Sequence, residues 1–394
     1  SADLTPSNNT KPPDWSDLER GRYDGRYLRF GVREHGMGAV TSPWIDNIRR
    51  SWLGSGEFRR MLDDGILGVT SNPTIFQKAI ADSSDYDEAV AELAGSGTSP
   101  EEVFFDLAIW DVREAADQIN GVYESTDHVD GFVSFELPPG MANDTQASID
   151  GAPMFWERIG RPNIFIKIPG TSEGLPAIEE SIASGINVNV TLLFSLQRYE
   201  EIHWAYIRGL ERRVEQGEPI DDIHSVASFF VSRVDTAVDK LLPDGSPLRG
   251  KAAVANAKMA YQRYLEIVDD PRWKALESHG ATRQRPLWAS TGTKNPEYSD
   301  VLYVESLIGP ETVNTMPDQT VEAFQDHGKV ERTVDRDLDG ARDVLRQLKD
   351  AGIDLDDVTH KLEVEGVKSF SDSFDSLIET ISGRLSGVGE RGAA

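Results

Sequence analysis

One lysine interrupts the apolar run IFIKIP at 164–169: Lys167, set between Ile166 and Ile168. Taking an amine out of water disfavours its charged form, and a neutral amine attacks carbonyl carbon, so Lys167 is a candidate Schiff-base former. That chemistry needs acids and bases beside it. Asp46 closes the run SPWID and Glu136 sits near the end of GFVSFEL; two carboxylates near an amine can divide proton removal from proton delivery. Arg233 and Lys294 follow two further runs, and two cations at one mouth suit a phosphate, which arginine clasps with parallel hydrogen bonds. Singly, each residue has a plainer reading: a strand-end lysine reaching for solvent, carboxylates in salt bridges, solvated cations. The argument for a site lies in recurrence. Thr70 and Asn72 end or follow LGVTS, Ser228 interrupts SVASFFV, Ser290 closes RPLWAS, and Asn314 and Thr315 lie in TVNTMP. In INVNVTL, Asn187, Asn189 and Thr191 alternate with apolar residues, so on a strand they share one face. Buried amides and hydroxyls without partners cost about 1–3 kcal/mol each, so that face must satisfy itself or meet a ligand.

The runs that carry these residues number eight: 42–46, 67–71, 131–137, 164–169, 186–192, 225–231, 285–290 and 312–317. Longer segments with apolar residues at three- and four-residue spacing separate them, notably 100–119, 176–185, 196–214 and 251–268, and read as amphipathic helices. Strands alternating with helices imply a parallel sheet, and eight is the number that closes a barrel. The predicted fold is therefore α/β: a single (β/α)8 TIM-type barrel, with chemistry at the carboxyl ends of its strands. An open doubly wound sheet would carry a glycine-rich loop after its first strand; NIRRSWLG at 47–54 is not one. Extra helices are expected at 75–95 and 336–388, the latter a C-terminal extension that either folds back over the site or forms an interface. Residues 1–40 read as an N-terminal extension, 41–385 as the catalytic barrel, and 386–394 as a frayed tail.

Composition narrows the function classes. There is no cysteine, hence no disulfide framework or thiolate metal site. The histidines show no HExxH or other close ligand spacing, and no GxSxG elbow is present, so neither a metal, a cofactor nor a serine triad is expected. His224, just before the sixth run, reads as structural. The net charge is −27, which repels a nucleic-acid backbone. The 28 Arg and 12 Lys face 67 Asp and Glu, a balance suited to high salt, where self-repulsion is screened. No run of about 18 apolar residues suggests a membrane span, and residues 1–19 show no basic-then-apolar leader, so the expectation is a cytoplasmic protein, monomer or homodimer.

VTSNPTIFQKAI (69–80), NIFIKIPGTSEGLPAIEESIASGINVNVTLLFSLQRYEEI (163–202), SVASFFVSRVDTAVDKLL (225–242) and PLWASTGTKNPEYSDVLYVESLIGPETVNTMPDQT (286–320) together closely resemble transaldolases in their longer bacterial form. The resemblance runs over about 42–385, and its most specific block is IKIPGT…EGLPAIE…GINVNVTLLFS. It implies that Lys167 forms the Schiff base, that Asp46 is the acid/base for carbon–carbon cleavage, and that Glu136 works through a water held with Thr191. It further implies substrate contacts from Asn72 and Asn189, with Thr70 nearby, and from Ser228, Arg233 and Ser290. The implied reaction moves a dihydroxyacetone unit from sedoheptulose 7-phosphate to glyceraldehyde 3-phosphate. An aldolase that releases free dihydroxyacetone from fructose 6-phosphate shares the lysine chemistry, and access of water to the enamine separates the two. The chain departs from the family where shorter members place an arginine after the last serine: STGTKNP offers only Lys294. TSNP replaces the family's TTNP, and residues 1–40 match nothing in it.

Overall fold

The computed structural model describes residues 41–93 and 97–392; the N-terminal extension expected at 1–40 lies outside them. The β-branched and aromatic runs form eight strands: β1 (Ser42–Ile45), β2 (Gly68–Thr70), β3 (Phe132–Glu136), β4 (Ile164–Pro169), β5 (Val188–Leu193), β6 (Ser225–Phe230), β7 (Arg285–Ala289) and β8 (Val313–Met316). They pair in sequence order, all parallel, and β8 closes on β1 from Ser42↔Val313 to Ile45↔Met316. The α/β barrel expected from the alternation is thus present, with each strand at its predicted place.

Helices form where the periodicity puts them. Pro100–Ser125 starts at Ser99, whose hydroxyl accepts from Glu102 N, satisfying an amide that the helix itself cannot. Leu196–Gln216 is capped likewise by Ser195 and ends at Gly217. Gly174–Ala183 and Ala252–Asp269 match the other two patterns. The segment 75–95 divides into Pro73–Ala81 and Asp87–Leu93, and the segment after the barrel into Leu338–Asp350 and Leu355–Gly392. Residues 386–392, expected as a tail, continue this last helix.

Alternation sorts the barrel interior. On β1, β3 and β4 the side chains Trp44 and Asp46, Phe132, Ser134 and Glu136, and Phe165 and Lys167 share the inward face. Aromatic rings fill the amino end: Phe132 stacks on Phe165 at 4.3 Å and Trp44 on Phe165 at 6.1 Å. Beneath them Arg285 plugs the barrel, donating to Asp130 Oδ1 (3.1 Å), Val129 O (2.8 Å), Ser42 Oγ (2.5 Å) and Thr312 O (3.2 Å). The polar members of the same faces are left to the carboxyl end.

The helix Leu355–Gly392 folds back over the barrel, the first of the two expected roles. Val358, Leu362, Phe370, Leu377 and Ile381 are buried and Phe374 is half-buried, three or four residues or twice that apart, a single apolar stripe. Phe374 packs edge-on against Phe104 at 5.6 Å, Ser373 accepts from Thr74 at 2.8 Å, and Arg384 pairs with Asp87 at 2.6 Å. The helix therefore clamps the segment after β2 and passes the mouth where the strands end.

Candidate active site

Register places the central residues. Glu136 pairs with Lys167 across β3 and β4, and Lys167 with Asn189 across β4 and β5, so the three side chains stand in one row facing inward. Lys167 Nζ donates to Glu136 Oε2 at 3.0 Å and to Ser71 O at 3.1 Å. Ile166 and Ile168, expected to wall the amine, point the other way, toward the helices, because neighbours on a strand alternate. The amine is buried, with 3% exposure, but among polar groups. Asp46, one strand-end away, accepts from Thr70 Oγ1 at 2.6 Å, and Thr70 is itself 2.6 Å from Thr315 Oγ1. Burial raises the pKa of both Asp46 and Glu136, and the neighbouring Lys167 opposes that rise in each. Both carboxyls therefore hold protons more readily than a solvated acid does.

These groups border a cavity of about 150 Å³. Nine of the eleven residues singled out from the sequence line it: Asp46, Thr70, Asn72, Lys167, Thr191, Ser228, Arg233, Ser290 and Lys294. Glu136 and Asn189 sit behind the wall. Asn189 donates to Ser134 Oγ at 3.0 Å and accepts from Ser228 Oγ at 2.7 Å. Thr191 Oγ1 is buried with no hydrogen-bond partner among the described residues, so it can meet a substrate hydroxyl. Asn72 caps the following helix, its Oδ1 accepting from Ile75 N at 3.0 Å. Ser290 adopts φ +55 and lies 3.0 Å from Ser232 Oγ, tying the end of β7 to the helix Ser232–Asp239 that carries Arg233. The Arg233 guanidinium lies over the ring of Phe230 at 5.0 Å and that of Phe370 at 5.9 Å. Burial lowers its pKa, while Asp46 and Glu136 oppose this. No group among the described residues hydrogen-bonds it, so its donor fork is available to a ligand. Lys294, exposed, stands at the rim.

A buried lysine bonded to one acid, with a second acid on the same cavity and an arginine that no described residue hydrogen-bonds, is an arrangement suited to carbonyl chemistry on an anionic substrate. Comparison with known proteins agrees. The family model described as Transaldolase/Fructose-6-phosphate aldolase matches residues 43–381. The chain belongs to this family. A Transaldolase of Trichodesmium erythraeum is 46% identical over 360 residues, 87% of this chain and 95% of that protein. Transaldolases of Frankia alni and Mycobacterium bovis are each 46% identical, over 90% and 88% of this chain and 97% and 95% of their own lengths.

For a member of the transaldolase family, the sequence left several site residues unnamed. Ser134 lies two residues before Glu136 and Phe230 two after Ser228, so period-two alternation could have found both. Ser71 acts through its carbonyl, which no side-chain pattern reveals. Phe370, brought in from the C-terminal helix, carries no local signal. Asn187 and Asn314, also noted in the sequence, fall elsewhere: Asn314 Oδ1 accepts from Thr291 Oγ1 at 2.8 Å. Asn187 bonds Pro162 O at 3.2 Å and His224 N at 2.8 Å, joining the amino ends of strands. His224 sits at that same end, away from the cavity. There His128, Asp222 and His224 bring ligand atoms within 4.8 Å of one another, a trio that sequence spacing concealed. Asp222 Oδ1 is 3.0 Å from His128 Nδ1 and 3.4 Å from His224 Nε2; the trio satisfies itself and clasps two loops.

Proposed function

We propose that the chain transfers a dihydroxyacetone unit between sugar phosphates through a Schiff base on Lys167, in the non-oxidative pentose phosphate pathway. Lys167 attacks the C2 ketone of a ketose phosphate such as sedoheptulose 7-phosphate. Glu136, 3.0 Å away, moves protons through a water held with Thr191, and the carbinolamine loses water to leave an iminium ion. Asp46 takes the C4 hydroxyl proton, the C3–C4 bond breaks into the iminium, and erythrose 4-phosphate departs. The bound enamine then attacks the aldehyde carbon of glyceraldehyde 3-phosphate. Asp46 returns its proton to the new hydroxyl, and hydrolysis frees fructose 6-phosphate. Arg233, with Lys294 at the rim, holds the phosphate; Thr70, Asn72, Ser228 and Ser290 orient the sugar hydroxyls, and Asn189 contributes to substrate binding from behind the wall by holding Ser228 Oγ. Positioning of this kind supplies part of the roughly 7–11 kcal/mol available from orientation.

The observation that carries this reading is the Lys167–Glu136 pair on a cavity shared with Asp46 and with Arg233, which no described residue hydrogen-bonds. Borohydride reduction in the presence of fructose 6-phosphate should add one ketose-derived group to Lys167, located by peptide mass mapping. A label on another lysine, or an undiminished label in Lys167→Met, overturns the assignment. The charge of −27 favours small sugar phosphates over nucleic acid as partners and supports a cytoplasmic, salt-adapted enzyme, monomer or homodimer. No helix among the described residues is long and apolar enough to cross a membrane. In this reading residues 41–385 carry the chemistry and residues 1–40 are an N-terminal extension.

A further inference from the structure

The enamine left on Lys167 after cleavage must wait for a second aldehyde. If water reaches it first, the enamine carbon takes the proton held by Asp46. Water then adds to the resulting iminium carbon, the C–N bond breaks, and free dihydroxyacetone leaves as the remaining proton returns through Glu136 to the amine. Transfer therefore requires that something apolar cover the lysine without filling the cavity. The eight strands provide it only in part: they line the cavity mainly with hydroxyls, carboxyls and the amine itself, beside Phe230 and Ala289.

The C-terminal helix supplies the rest. Gly366 and Phe370 are one turn apart and so share a face. At Gly366 the helix backbone meets the barrel rim so closely that a Cβ there would lie 2.9 Å from Leu192 Cδ2 and 3.7 Å from an Arg233 nitrogen. Leu192 itself holds φ +60, beside the irregular register of β5 on β6 between Val190 and Leu193. The bulged rim and the missing side chain fit each other. One turn on, this contact seats Phe370 on the cavity wall, 4% exposed, with its ring 6.0 Å from Lys167 Nζ and 5.9 Å from Arg233 Cζ. The ring cannot hydrogen-bond water, and with Phe230 it borders the Arg233 guanidinium.

We infer that Phe370, set down by Gly366, is the water seal over the Lys167 enamine and decides between transfer to an aldehyde and release of free dihydroxyacetone. This rests on the Schiff-base reading above. The test measures, on the full chain, dihydroxyacetone released against erythrose 4-phosphate consumed when fructose 6-phosphate is the donor. Phe370→Ala should raise that ratio by roughly tenfold or more, and Phe370→Leu should restore most of the wild-type value. Gly366→Ala, which keeps the ring but lifts the helix from Leu192, should shift the ratio in the same direction and reads the same seal should Phe370→Ala unfold. A merely structural role would lower both products together. Borohydride adducts on Lys167 in all variants with an unchanged ratio overturn the seal alone, whereas no adduct in the wild type overturns the Schiff-base reading beneath it.

Discussion

At Asp46 two demands on one carboxyl oppose each other. Burial raises its pKa more than Lys167, Thr70 and Arg233 lower it, so the folded chain holds a charged Asp46 less comfortably than the unfolded chain does. A carboxyl raised in this way contributes its stability below the unfolded-state value, near 3.8, and loses it as pH rises through the folded-state value. Asp46→Asn removes the ionisation while still accepting from Thr70. It should melt higher than the wild type at pH 8, by a margin that shrinks as pH falls, while carbon–carbon cleavage slows by about 10²–10⁴-fold. Scanning calorimetry across pH and a single-turnover cleavage assay read the two effects. An Asn variant no more stable at pH 8 would mean that the site carries its charge without strain.

Among the elements, the strands do opposite work at their two ends. At the amino end Arg285 of β7 reaches beneath β1 and β8 to Ser42, Thr312 and Asp130, with side chains 8% and 0% exposed in the Arg285–Asp130 pair. Arg285→Leu takes the counter-charge from the buried Asp130, which keeps the hydrogen bonds from Ser42 Oγ and Trp44 Nε1, so unfolding free energy should fall by roughly 3–5 kcal/mol. Because the row of Glu136, Lys167 and Asn189 is at the far end, activity per folded molecule should hold. Denaturant unfolding with active-site titration checks both; a loss under about 1 kcal/mol would mean that the neutral donors around Asp130 suffice for its charge. The sequence placed β7 correctly, yet nothing in its local pattern marks the leading arginine.

Over the whole molecule, charge is the dominant long-range fact. Arginine-centred clusters, such as Arg158 with Glu102 and Asp106 or Arg212 with Glu179 and Glu180, lie largely in solvent, and each exposed pair contributes little. They leave the net −27 to repel itself. Screening shortens from about 10 Å at 0.1 M salt to about 3 Å at 1 M, so the melting temperature should climb through a sodium chloride series from dilute buffer to molar. Equal melting temperatures at both ends would show that the acidic surface is not an adaptation to salt.

What the sequence determined alone was everything encoded between near neighbours. Eight short apolar runs among period-3.6 segments specify the barrel, and polar residues at the ends of those runs mark the mouth where the cavity lies. Lys167, Asp46, Arg233 and six companions could therefore be placed on one cavity before any coordinates. Tertiary structure decided what depends on distant chain meeting itself. It turned Ile166 and Ile168 outward and gave Lys167 a carboxylate and a carbonyl for company. It laid the C-terminal helix across the mouth, with Phe370 over the amine, and gathered His128, Asp222 and His224 at the opposite end. Such contacts join segments whose local patterns are complete without each other, so only the packing of their apolar faces, through the close approach at Gly366, selects them.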